Sequence, residues 1–210
     1  MRMSAAILGL VLGFGAPLAG AAERDDQRPA FVPAPLAGEQ RLTGPELRTL
    51  LLSGQMECTD HRADDNSCSS IGSYAPTETA AIASGGTLLF SEAPRFEVAA
   101  WGLVHIRGDA VCIDWDSAKI RVLPNDDIDA ARADEMSDQL IEAIMSEAKP
   151  TCSVYIREGD RLRERAFEEI AGGEGKEIDG HKRSYSRFFT SADPKPRLRA
   201  VEDEAAEHDS

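Results

Sequence analysis

The sequence predicts an α+β domain: a mostly antiparallel sheet of short strands, packed by a short N-terminal helix and a longer helix near 126–148, and stapled by disulfides. Three observations predict it. Short runs rich in β-branched and aromatic residues, separated by turn residues, fill most of residues 55–120. Apolar residues recur at helical spacing before and after that stretch. Four cysteines stand in a chain that opens with an export signal.

That signal is MRMSAAILGLVLGFGAPLAGAA, residues 1–22: Arg2, then an apolar run broken by Gly13, Gly15 and Pro17, then small residues suited to cleavage. The run is too short for a bilayer-spanning helix, which needs about 20 apolar residues, so no membrane span is expected after cleavage. Residues 23–38, with Pro29, Pro33 and Pro35, read as an extended leader. A single domain is expected over 39–190. Residues 191–210 read as a disordered acidic tail, because they lack aromatics and end in a run of acids.

Within the domain, Thr43-Gly44-Pro45-Glu46 has the pattern of a capping box, which predicts a helix over about 45–52 with Leu47, Leu50 and Leu51 inward. Strands are expected at Met56–Thr59, Ser70–Tyr74, Thr87–Ser91, Phe96–Ile106 and Ala110–Asp116. Asn125 is expected to cap the longer helix, whose stripe runs through Ala133, Met136, Leu140 and Ile144. Thr151–Arg157 reads as a strand. Leu162, Ala166, Phe167 and Ile170 suggest another short helix, Gly172–Lys176 a loop, and His181–Thr190 a last strand or an irregular lid.

The tripeptide Arg107-Gly108-Asp109 admits two meanings, an adhesion signal or a hairpin turn. A two-residue loop at Gly108-Asp109 pairs Arg107 with Ala110, His105 with Cys112, Leu103 with Asp114 and Gly102 with Trp115. That register gathers Val104, Ile106, Val111, Ile113 and Trp115 on one face, as a sheet that buries one side requires. Turn chemistry therefore accounts for the Gly and the Asp.

An even cysteine count in an oxidising compartment implies two disulfides. Cys58 with Cys68 and Cys112 with Cys152 are favoured: the first closes a polar loop, the second ties the hairpin to the strand after the long helix. No close Cys pair of the zinc type is present. The loop between Cys58 and Cys68 offers oxygen donors and an imidazole in Asp60, His61, Asp64 and Asp65, though without a calcium-loop spacing. On the polar face of the hairpin, His105 lies diagonal to Asp114, an arrangement open to general-base work, yet no nucleophile motif accompanies it.

Signal removal takes one base and no acid, which moves the formal charge from −14 to −15. Such a chain repels phosphate backbones, so nucleic acid is not expected as a partner. No cofactor motif is present. Together these features point to an exported, non-enzymatic binding or interaction module of the bacterial envelope, periplasmic or secreted, with an unknown protein or small-molecule partner. The alternatives are a small periplasmic hydrolase, using His105 and Asp114 or a metal in the 58–68 loop, and a secreted protease inhibitor presenting that loop.

Overall fold

The computed structural model describes residues 30–33, 39–170, 174–178 and 184–200. The signal segment 1–22 lies outside them, as do residues 23–29 and 34–38 of the leader and 201–210 of the tail. The chain is mostly β. Its order is β1 (Val32–Pro33), α1 (Gly44–Leu51), β2 (Met56–Thr59), β3 (Ser67–Cys68), β4 (Ser70–Pro76), β5 (Ile82–Glu92), β6 (Arg95–Arg107), β7 (Ala110–Val122), α2 (Ala130–Glu147), β8 (Thr151–Glu158), β9 (Arg161–Glu169), β10 (Glu174–Glu177), β11 (Ser184–Phe189) and β12 (Arg197–Leu198).

The mostly antiparallel sheet expected from the sequence forms and is closed on itself. Neighbours run β9-β11-β2-β4-β5-β6-β7-β8, and β8 pairs back onto β9, which makes an eight-stranded antiparallel barrel. The strands are also longer than expected: β6 and β7 have 13 residues each. Closure removes the sheet edges that an open arrangement of these strands would expose.

Register sorts the side chains. Tyr155 opposes Glu164, Ser186 opposes Thr59, Glu57 opposes Gly72 and Ile82 opposes Val104, so these residues share the inner face. Helix α1 closes one end, packing Leu47 and Leu51 with Leu42 against Ile82, Val104, Val111, Tyr155 and Leu162. Its capping box forms as the sequence implies, with Glu46 accepting from both the backbone and the hydroxyl of Thr43.

The long hairpin of β6 and β7 runs past the barrel, and α2 covers that extension through Val98, Val122, Ile128 and Ala133. There the Val122 amide donates to the Ser137 hydroxyl at 2.9 Å, so the helix satisfies a strand edge that no other strand reaches. The helix is shorter than 126–148, and its cap is Asp129, which accepts from the Arg132 amide. Asn125 caps a turn instead, taking the amides of Asp127 and Ile128.

Three further expectations are corrected. Residues 161–169 form β9, not a helix: Leu162 and Ala166 fit both periods, and ladders on both edges decide for the strand. Glu174–Glu177 is a strand within the expected loop, pairing with β9 and, in parallel, with β1. Here Gly175 leaves room for the buried Phe31 ring, since a Cβ would stand 2.3 Å from it. Lastly, Gly102 does not pair with Trp115. Residues 115–118 bulge out, the Ser117 hydroxyl accepts from the Leu103 amide, and Trp115 donates to the Lys149 carbonyl rather than entering a core. Ile113, expected inside, is exposed as well.

Residues 191–200, assigned from composition to the tail, lie in the described part. β12 pairs in parallel with β3, and Leu89 bridges to Ala200.

Both favoured disulfides are present, Cys58–Cys68 and Cys112–Cys152. The second lies where the ring is thinnest, because β7 and β8 share only the pairs Val111–Ser153 and Cys112–Cys152. Sequence separations of 40 and 10 residues give loop-closure contributions of about 4 and about 3 kcal/mol. Urea unfolding of the Cys112→Ala/Cys152→Ala and Cys58→Ala/Cys68→Ala chains should therefore place the first midpoint lower. Equal midpoints would show that the seam holds without its bridge.

Candidate functional site

The Arg-Gly-Asp turn is consumed by the fold. Gly108 adopts φ +62°, as the expected turn requires, and the pairing from Leu103–Asp114 to Arg107–Ala110 forms as expected. Arg107 is buried and donates two bonds, at 2.6 and 2.8 Å, to Glu169. Asp109 accepts from the Gly44 amide at 2.8 Å and so holds the first turn of α1. At Gly44 a Cβ would fall 2.4 Å from the Gly108 carbonyl oxygen, so only glycine admits this contact.

His105 and Asp114 do meet, on the outer face. Their Nε2 and Oδ2 atoms are 3.7 Å apart and both side chains are largely buried. All four cysteines are bridged, which leaves no thiol nucleophile beside the pair.

The four loop candidates do not converge on a common point. Asp60 sits at φ +50° with its carboxylate on the Tyr185 amide and the Ser69 hydroxyl. His61 bonds Asn66 at 3.0 Å. Asp65 accepts from Ser67 and pairs with Arg197, while Asp64 is exposed. Among the described residues no three His, Cys, Asp or Glu side chains are placed to share a metal ion.

The loop is nonetheless firmly built. Arg62 and Ser67 exchange two backbone bonds, which makes a tight turn. Asn66 reaches the carbonyls of Pro194 and Lys195, and β12 straps the loop from outside.

Beside this loop lies a cleft of about 550 Å³. Asp60, His61 and Ala63 form one wall, the β8–β9 turn supplies Glu158, Asp160 and Arg161, and the outward face of β11 supplies Tyr185 and Arg187. The Arg161 guanidinium lies 3.8 Å from the centre of the Tyr185 ring. His61 packs edge-on against Phe189, over which Arg187 also lies. No sequence motif singles out Arg161 or Tyr185, the latter falling within the segment expected as a last strand or an irregular lid. Only the strand pairing of β11 with β9 and β2 brings them to the loop.

A second polar group, also missed, sits inside the barrel. Glu57 accepts from the Tyr74 and Ser186 hydroxyls, and Tyr155 hydrogen-bonds to Tyr74. Burial, reinforced by the neighbouring carboxylates, raises both tyrosines well above the usual phenol range. Glu164 is pushed up to about 7, chiefly by burial, then by Glu57; a bond from Ser153 opposes the shift, and Asp60 adds to it.

No family model, curated protein or solved structure matches this chain.

The Glu164 carboxyl sets a pH dependence with a defined sign. Its folded value lies above the ordinary glutamate value of 4.5, so the fold favours the protonated form. Stability is retained below about 4.5 and falls as pH rises toward 7, where the unfolded chain releases a proton that the folded chain keeps. Part of the residue still touches water, which moderates the loss to about 2 kcal/mol. Urea titrations should show Glu164→Gln gaining that amount on the wild type between pH 4.5 and pH 8. Parallel curves across the window would remove Glu164 as the cause.

Proposed function

We propose that this protein is an exported, non-enzymatic binding module of the bacterial envelope, and that its ligand is a small molecule held in the cleft between the Cys58–Cys68 loop, the β8–β9 turn and β11. The observation that carries this reading is the cleft itself. Its volume of about 550 Å³ falls within the range of small-molecule sites, roughly 300–1,000 Å³.

The walls support the reading further. The loop is held by a disulfide and a strap, the turn joins two long paired strands, and β11 is paired on both edges. Such a site is organised before the ligand arrives, so little ordering entropy opposes binding. Two disulfides fit an oxidising, extracytoplasmic location, and the export signal read in residues 1–22 makes that location the periplasm or the exterior. The outward face carries Arg161, Arg163, Arg165 and Arg187, which suits water rather than lipid.

An NMR screen of the mature chain against a library of small polar and aromatic fragments tests this. Binders should shift the amides of Asp60, Arg161 and Tyr185 together, and Tyr185→Ala should abolish those shifts while the rest of the spectrum stays folded. Turnover on a hydrolase panel that disappears in a folded His105→Ala variant would replace the binding reading with the enzymatic one.

A further inference from the structure

The charges lining the cleft are not equally engaged, and the difference defines a ligand class. Of its carboxylates, Asp60 accepts from the Tyr185 amide and Ser69. Glu158 forms an ion pair with Arg163, 2.6 Å from its Nε, and Asp160 faces Arg187 at 3.8 Å. Arg161 is exposed, and its guanidinium is seated on the Tyr185 ring. Among the described residues no carboxylate stands within ion-pair distance of it.

We propose that Arg161, oriented by the Tyr185 ring, is the anchor for a small carboxylate-bearing molecule. This rests on the reading of the cleft as the ligand site and adds the chemistry that the site selects.

A guanidinium stacked on an aromatic ring uses one of its faces there. Its in-plane N–H donors remain, and these match the two oxygens of a carboxylate in a bidentate pair. Seating on the ring also removes rotamer freedom in advance, so fewer degrees of freedom are lost when the anion docks. The cleft volume suits a molecule of about the size of a substituted benzoate or an amino-acid derivative. Among the described residues the cleft's carboxylates contact groups other than Arg161. Together with the net charge of −14, they disfavour anions that lack a partner at that one position, so selection falls on a single carboxylate rather than on polyanions.

The test uses the mature chain and three probes of nearly equal shape: benzoate, the neutral benzamide and the cationic benzylamine. Benzoate should shift the amides of Asp160, Arg161 and Tyr185 saturably, with benzamide weaker by about tenfold or more. Arg161→Met should weaken benzoate about 10- to 100-fold and bring it level with benzamide. Arg161→Lys should recover part of the loss, and Arg121→Met, which is exposed on β7, should change nothing. Because Arg161 is exposed, the variants should keep the wild-type unfolding midpoint, which is measured alongside.

Equal binding of benzamide and benzoate, or benzylamine binding best at the same amides, would overturn the carboxylate assignment and leave the cleft standing as a binding site. Saturable binding of none of the three would also overturn it, and the broader fragment screen then decides separately whether the cleft binds anything.

Discussion

The barrel closes through its weakest seam, and the rest of the architecture depends on that closure. β5, β6 and β7 hold one another through long ladders, and β8 with β9 forms a continuous hairpin, yet β7 and β8 meet at only two residue pairs. Cys112 and Cys152 are one of those pairs and are covalently joined. A covalent link at a two-pair seam restricts the chain where backbone bonding offers least. Beyond the seam the free edge of β7 is taken over by Ser137 of α2, so the helix continues the role that strand pairing leaves unfilled.

Closure in turn creates the conflict inside. At the end plugged by α1 the lumen is apolar, filled by leucines, Ile82, Val104 and Val111. Alongside it stand Glu57, Glu164, Tyr74 and Tyr155, groups that lose hydration on folding and find partners in one another and, among the described residues, in two serines. Burying two carboxylates together disfavours both being charged, and the outcome is a proton held on Glu164 near neutrality. The small residues facing them, Gly72 and Gly86 among others, leave room for these long side chains to lie across the lumen.

Local patterns were legible where local chemistry decides the structure. The capping box at Thr43, the turn at Gly108-Asp109, the hairpin register as far as Leu103–Asp114 and the favoured disulfide pairing all follow from residues close in sequence or from simple pairing rules. What the sequence left hidden depends on contacts distant along the chain. Leu162, Ala166 and Ile170 satisfy a helical period, and only the presence of β8 on one edge and β11 and β10 on the other turns that segment into a strand. Once β9 is misread, the inward phase of Glu164 and the outward phase of Arg161 are both invisible. Closure of the sheet was hidden for the same reason, since it needs β9 as the strand that joins the two ends.

The cleft shows how such a fold separates stability from recognition. Arg107 and Asp109 carry charges that a motif reading would assign to a partner, but one is buried against Glu169 and the other holds α1. Arg107 is thereby withdrawn from the surface, while Asp109 stays exposed with its carboxylate engaged at the start of the helix. Arg163 and Arg165 are likewise committed, to Glu39 and Glu158 and to Glu39 and Glu177. Against that background Arg161 differs in kind. It lies on the same outward face of β9, two residues from Arg163, and its partner is a ring rather than a carboxylate. Among the described residues its guanidinium has a ring and no carboxylate within reach, so its in-plane donors stay open to an anion from outside.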